Sequence, residues 1–228
     1  MSLGVWWDRG PISPQASVSA DAALLRRREL GLIPDSLVFY SRDRPAISLG
    51  HFSSDDELEM GLVVEKGLEV VRRVSGGRPI YSDPGQINYA LALESGLFPE
   101  DPTKVFSVVC RGLIASLHAI GVEAMHHAPN DLEVHGRKIS GSALKRGHGA
   151  TLVHGTILVS TDLDMMARLF RSKGGRSQRP RNELTDLRSE MRNAPARADL
   201  INALVDGLGQ ALDVVFVPDR SFLQVEQR

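Results

Sequence analysis

Three stretches of the sequence carry residue types that could do chemistry. The first is Arg72-Arg73-Val74-Ser75-Gly76-Gly77-Arg78-Pro79-Ile80-Tyr81-Ser82-Asp83. Two adjacent glycines let the backbone turn sharply and approach a ligand, and amides beside guanidinium groups suit a phosphate or carboxylate. The same Gly-Gly-Arg-Pro also makes an ordinary connection between strands. The stretch is neither a nucleotide-binding P-loop nor the Gly-x-Gly-x-x-Gly dinucleotide pattern, which argues against a P-loop kinase or a nicotinamide dehydrogenase.

The second stretch runs Asn130-Asp131-Leu132-Glu133-Val134-His135-Gly136-Arg137-Lys138-Ile139-Ser140-Gly141-Ser142-Ala143. Lys138 follows a flexible Gly136 and precedes alternating Ile139, Ser140 and Gly141, so its ammonium can be aimed from a strand rim. A compact cation there neutralises a carboxylate nucleophile and a phosphate oxygen together. Read alone, it is a surface lysine beside a hairpin. The third stretch opens with His154-Gly155-Thr156. His154 either positions a polar ligand or satisfies backbone groups, and Gly155 permits close approach. His126 and His127 are neighbours on a strand and point opposite ways, which disfavours a zinc pair. Cys110 is the only cysteine, so an intrachain disulfide and a multi-thiolate zinc site are excluded. It lies inside a helical pattern and reads as a structural thiol rather than a nucleophile.

The elements that must position these residues alternate between strand and helix. A helix is expected from Ser19 to Leu30, capped by Ser19 or Asp21. Ser36–Tyr40 and Ala46–Leu49 read as a hairpin or a pair of neighbouring strands. Leu68–Arg73 and Ile87–Leu93 read as strands; the second sets Ile87, Tyr89, Leu91 and Leu93 on one side and alanines on the other, so both faces can be covered. Asp101-Pro102 caps the firmest helix, whose apolar positions recur from Val105 to Ile120. Leu132–Val134, Lys138–Leu144 and Thr151–Val159 follow as strands, then a helix capped by Thr161 or Asp162. A loop from Gly174 to Ala196 carries one short helical piece. Asp199–Leu212 and Val214–Val217 close the chain as helix and strand.

The 228 residues, 42% hydrophobic and 24% charged, suit one globular domain. A formal charge of -1 gives no global field that would draw nucleic acid or an anionic membrane. The basic tract from Arg168 to Arg192 is interrupted by Asp186 and Glu190 and reads as a solvated face. No apolar run reaches the roughly 20 residues needed to span a bilayer, and the start lacks a secretory pattern, so a cytoplasmic location is expected.

Together, Arg72 to Asn88, Asn130 to Ala143, His154 to Asp164 and Arg176 to Leu187 resemble the lipoate-protein ligase A family of the biotin and lipoyl ligase superfamily. The resemblance implies an α/β (α+β) domain spanning 1–228, with a mixed, mostly antiparallel sheet flanked by helices and no C-terminal accessory domain. It implies that a carboxylate attacks the α-phosphate of ATP and that a carrier lysine then attacks the acyl-adenylate. Lys138 would be catalytic. Arg72, Arg73, Ser75, Gly76, Gly77, Arg78 and Asp83 would form the adenylate- and acyl-binding loop. Asn130, Gly136, Ser140, Gly141, His154, Gly155 and Thr156 would complete that site, with Asp131 on Mg2+. Lipoate or octanoate would be the acid. A lipoyl domain or glycine-cleavage-H-like protein would be the acceptor, with a separate accessory subunit as a further partner.

Two residues depart from the family pattern. Arg78 stands where a third glycine is usual, and Ser82 where many members carry histidine. An arginine at that third position resembles some octanoyltransferases of the same superfamily, which use a cysteine shortly before the lysine segment. The stretch Met125-His126-His127-Ala128-Pro129-Asn130 has none. ATP-independent octanoyl or lipoyl transfer is the alternative reading, beside a noncatalytic lipoyl-binding or carrier-interacting homologue.

Overall fold

The computed structural model describes residues 2–170 and 180–219. Part of the loop expected from Gly174, and Arg176 within the resembling stretches, lie outside the described residues. In chain order the elements begin with β1 (Ser2–Ile12), α1 (Pro14–Glu29), β2 (Asp35–Arg42), β3 (Ala46–Leu49), α2 (Met60–Glu65), β4 (Glu69–Arg72), β5 (Ile80–Ser82) and β6 (Gln86–Glu94). They continue with α3 (Pro102–Ala119), β7 (Met125–His127), β8 (Asp131–Val134), β9 (Arg137–Arg146), β10 (Ala150–Leu158), α4 (Leu163–Arg168), α5 (Leu187–Glu190), α6 (Arg197–Leu212) and β11 (Val214–Pro218).

A large sheet runs β11-β1-β2-β6-β10-β9-β8-β7, and a small one runs β4-β3-β5. In the large sheet β1 is parallel to both its neighbours, and the other pairings are antiparallel. β6 shows why the sheet is covered twice. Its Ile87, Tyr89, Leu91 and Leu93 join the main core with α3 and α6, while Ala90 and Ala92 face a second cluster with Leu24 and Leu25 of α1. The alternation at period two thus assigns each residue to one layer. The apolar stripes of α3 and α6 meet through glycines, where a Cβ on Gly112 would lie 2.9 Å from the Gly207 carbonyl oxygen.

Three sequence expectations change. β1 was not anticipated; it is held as a parallel strand between β2 and β11. The first helix begins at Pro14, not Ser19, because the Ser13 hydroxyl accepts from the Ala16 amide at 3.2 Å and proline occupies the first helical position. Asp21 therefore lies inside the helix rather than capping it. β2 and β3 are not paired. β2 is flanked by β1 and β6, so both its hydrogen-bonding edges are taken, and β3 belongs to the small sheet. Asp162 does cap α4, accepting from the Met165 amide at 2.9 Å.

Candidate functional site

Between the α1 face of the large sheet and the small sheet lies a cleft of about 690 Å³, the size of a small-molecule site. Its floor follows one row of register partners. Tyr40 lies opposite Asn88, Asn88 opposite Thr156, Thr156 opposite Gly141, and Gly141 opposite Asp131. Directly opposed residues share a face, so all five belong to the cleft side, and the short residues among them keep the floor low. Ser48, Ile80 and Tyr81 of the small sheet, with Gly76 and Gly77, form the facing wall.

Lys138 reaches this face through a β-bulge. Gly141 and Ser140 of β9 oppose Asp131 and Leu132, but the register then shifts, so that Lys138 opposes Glu133. In unbroken register it would oppose Val134, which is buried in the main core. One extra residue therefore turns the lysine to the side of Asp131. The tight turn before it is made by His135 and Gly136, with φ of 52° and 74°, as a two-residue hairpin requires. The Lys138 Nζ lies 2.8 Å from Asp131 Oδ1. Gly141 leaves it that room: a Cβ there would stand 2.9 Å from Nζ and 3.0 Å from Asp131 Oδ1.

The arginines of the glycine loop hold backbone. Arg73 donates from Nη1 to the Ser48 carbonyl at 2.8 Å, and from Nη2 to the carbonyls of Gly76 at 2.8 Å and Arg78 at 2.9 Å. Burial, with Arg42 nearby, lowers its pKa to about 10. Arg72 donates to the carbonyls of Gly50 and Ser53, each at 2.8 Å, and Arg78 pairs with Glu57 at 2.8 Å. The loop is thus shaped by internal charge-assisted bonds, with Gly77 at φ +95° turning it toward the cleft.

Beside the loop runs a buried chain that sequence reasoning did not assemble. His154 Nδ1 lies 2.6 Å from Asp21 Oδ2, and His154 Nε2 lies 2.6 Å from Ser75 Oγ. The Tyr40 hydroxyl donates to Asp21 at 3.0 Å. Burial first, and the Asp21 charge second, raise the Tyr40 pKa. Ser75 Oγ, which bonds His154 Nε2, also receives Arg73 Nε at 3.2 Å. The order Ser–His–Asp matches that of serine hydrolases, but Ser75 is 0% exposed and does not line the cleft. No carbonyl can reach its oxygen, so the chain is a tether between loop, sheet and α1. The available signal was Asp21 itself, a charged residue on the helix stripe that includes Val18 and Leu25.

Of the residues expected at the site, Arg73, Gly76, Gly77, Arg78, Asn130, Asp131, Lys138, Ser140, Gly141, His154, Gly155 and Thr156 line the cleft. Arg72, Ser75, Asp83 and Gly136 do not. Asp83 clasps two loops, accepting from the amides of Gly85 at 2.9 Å and Asp162 at 2.8 Å; burial raises its pKa against those bonds. Asp131, expected on Mg2+, is paired with Lys138. Among the described residues no three His, Cys, Asp or Glu side chains converge to hold a metal. Cys110 is fully buried in α3 outside the cleft, and burial, then the Asp131 charge, push its thiol up to about 12. No described helix is long and apolar enough to cross a membrane.

Solved structures share this fold. Lipoate-protein ligase A bound with ATP superposes with a TM-score of 0.82 at 24% identity, covering 95% of this chain and 88% of that one. The bi-partite lipoate protein ligase of Thermoplasma acidophilum, described with its E2 lipoyl domain, gives 0.77 at 22% identity, covering 96% and 87%. In sequence, octanoyltransferase LipM of Anoxybacillus flavithermus is 30% identical over 199 residues, 75% of this chain and 71% of the relative. Residues 13–209 match the lipoyl protein ligase A/B catalytic domain. The chain belongs to the lipoyl protein ligase A/B catalytic-domain family.

Proposed function

We propose that this chain transfers an octanoyl- or lipoyl-class acyl group to the ε-amine of a carrier-protein lysine, without an acyl-cysteine intermediate. The observation that carries the reading is the convergence, in one cleft, of the Lys138–Asp131 pair with the Gly76-Gly77 turn. The acceptor nitrogen bonds to the acyl carbonyl carbon, the carbon–leaving-group bond breaks, and the amine proton passes to the leaving group or solvent. Lys138 holds the carbonyl oxygen as negative charge builds on it, and Asp131 keeps the ammonium over Gly141.

Two donors fit this step. The name of the octanoyltransferase relative favours a ready-made octanoyl donor; if that donor is a thioester, thiolate leaves. The ATP-dependent reading, with AMP leaving an acyl-adenylate, is favoured by a feature of this chain: its single cysteine is sealed in α3, which removes the covalent route such transferases use. In that reading Lys138 first draws the carboxylate and α-phosphate together, and Mg2+ belongs to the nucleotide substrate. The acceptor is a lipoyl domain or H-like protein. The described fold is taken as one catalytic domain, and a separately encoded accessory protein is a partner to add in the assay.

The test is mass spectrometry of a lipoyl-domain acceptor after incubation with octanoyl thioester lacking ATP, or with free octanoate or lipoate plus ATP and Mg2+. An accessory protein is present or absent in each arm. Modification in the first arm assigns the thioester donor, and modification confined to the second assigns the adenylate. An acceptor left unmodified in every arm, by protein that binds octanoate, overturns transfer in favour of a noncatalytic acyl-binding role.

A further inference from the structure

Arg42, at the end of β2, is a charged residue in the cleft that neither the sequence motifs nor the family resemblance singled out. It is 4% exposed, it lines the cleft, and its Nε and Nη1 find no acceptor. Its neighbours are otherwise committed. Asp21 holds His154 and Tyr40, while Arg73, the cation beside it, is spent on the carbonyls of Ser48, Gly76 and Arg78. Buried donors left without a partner are costly, and those of a guanidinium most of all. A guanidinium that stays charged under burial, with donors left over, is matched by a carboxylate or phosphate.

The place of Arg42 relative to Lys138 follows from the sheet. Lys138 Nζ stands over Gly141 on β9; β10 and β6 separate that strand from β2. Three strand spacings set the backbones of the two residues about 14 Å apart across the sheet, with Arg42 two residues beyond Tyr40 of the floor row. They line different parts of one elongated cleft.

We propose that the Arg42 part of the cleft is a second oxyanion subsite, which takes a carboxylate or phosphate group of a ligand apart from Lys138. Its two sources are a distal carboxylate on the acyl chain and a phosphate of the donor molecule. The subsite does not depend on which donor reacts at Lys138.

The test is equilibrium binding to the full chain by calorimetry, with octanoate, the eight-carbon dicarboxylate suberate and inorganic phosphate as probes. Arg42→Gln and Arg42→Lys are compared, with circular dichroism as the control for folding. A distal carboxylate is assigned if suberate binds at least tenfold tighter than octanoate and Arg42→Gln removes the difference. A phosphate is assigned if inorganic phosphate binds, Arg42→Gln weakens it at least tenfold, and suberate gains nothing over octanoate. In either case Arg42→Lys retains part of the affinity.

The wild-type chain supplies a readout that needs no variant: the Arg42 Nε–H NMR signal moves when the anion binds. An anion that binds and leaves this signal unmoved overturns the subsite. So does a chain that binds neither anion. Octanoate binding with no anion effect rejects the subsite and leaves acyl transfer standing. Anion binding with no affinity for octanoate does the reverse.

Discussion

Lys138 is placed by chemistry that can be removed without touching the core. Its side chain is 30% exposed and its partner Asp131 is on the cleft surface, so Lys138→Ala deletes a cation while the sheet keeps its register. Loss of one donor to a developing oxyanion costs about 10²–10³ in rate. Transfer to a lipoyl-domain acceptor should fall by that factor with a thermal midpoint close to wild type. Cys110→Ala is the companion variant; it removes a thiol outside the cleft and should leave the rate within about twofold while costing stability through the small void it leaves. A near-normal rate in the lysine variant would remove Lys138 from the reaction.

Asp21 makes a different residue-scale claim. Asp21→Asn keeps the shape of the carboxylate but removes the charge that orients His154, and through it Ser75 and the glycine loop. The buried charge-assisted bond is worth about 1.5–3 kcal/mol, so a stability loss of that order is expected in urea. Because the network positions a wall of the cleft and its Ser75 hydroxyl is shut off from it, KM for the acyl donor should rise more than kcat falls. Steady-state kinetics check the split; a pure kcat effect would mean that the network acts in the chemical step.

At the scale of elements, the bulge in β9 is the device that makes a site from a sheet. The lysine segment was legible as residue types, and so were the β6 alternation and the α3 cap, because each is a local pattern. Unreadable was the register shift that carries Lys138 from the core face to the cleft face, since it is decided by pairing with β8. The unpaired state of β2 and β3 was hidden for the same reason: which edge a strand offers depends on neighbours distant in the sequence. Asp21 reads as a helix cap, and Arg42 goes unremarked, because their partners, or lack of them, exist only across elements. Gly141 joins local pattern to pairing. Gly141→Ala adds a Cβ 2.9 Å from Lys138 Nζ and 3.0 Å from Asp131 Oδ1 at a position with ordinary backbone angles. The fold should survive, and the displaced ammonium should cost about 10²-fold in transfer, as a misplacement near 1 Å does. A fully active alanine variant would show that the lysine works from another position.

For the whole molecule, the cleft is the seam between two bodies with separate cores. The large sheet carries the main core, while the small sheet, with Ile47, Leu49, Val63 and Tyr81, packs with Leu169 and Phe170 in its own cluster. A ligand lying along the floor touches Gly141 and Thr156 on one side and Ile80 and Tyr81 on the other, so it binds only when both bodies are folded and apposed. Binding at a hundredfold excess over Kd then adds about 2.7 kcal/mol to the native state, or roughly 5–10 °C in the midpoint for a chain of this size. Hydrogen exchange locates where that energy acts. Amides of β5 and of β9, on opposite sides of the cleft and in different sheets, should slow together when an acyl ligand is added. Protection confined to one sheet would place the ligand on a single wall and break the link between the two cores and the site.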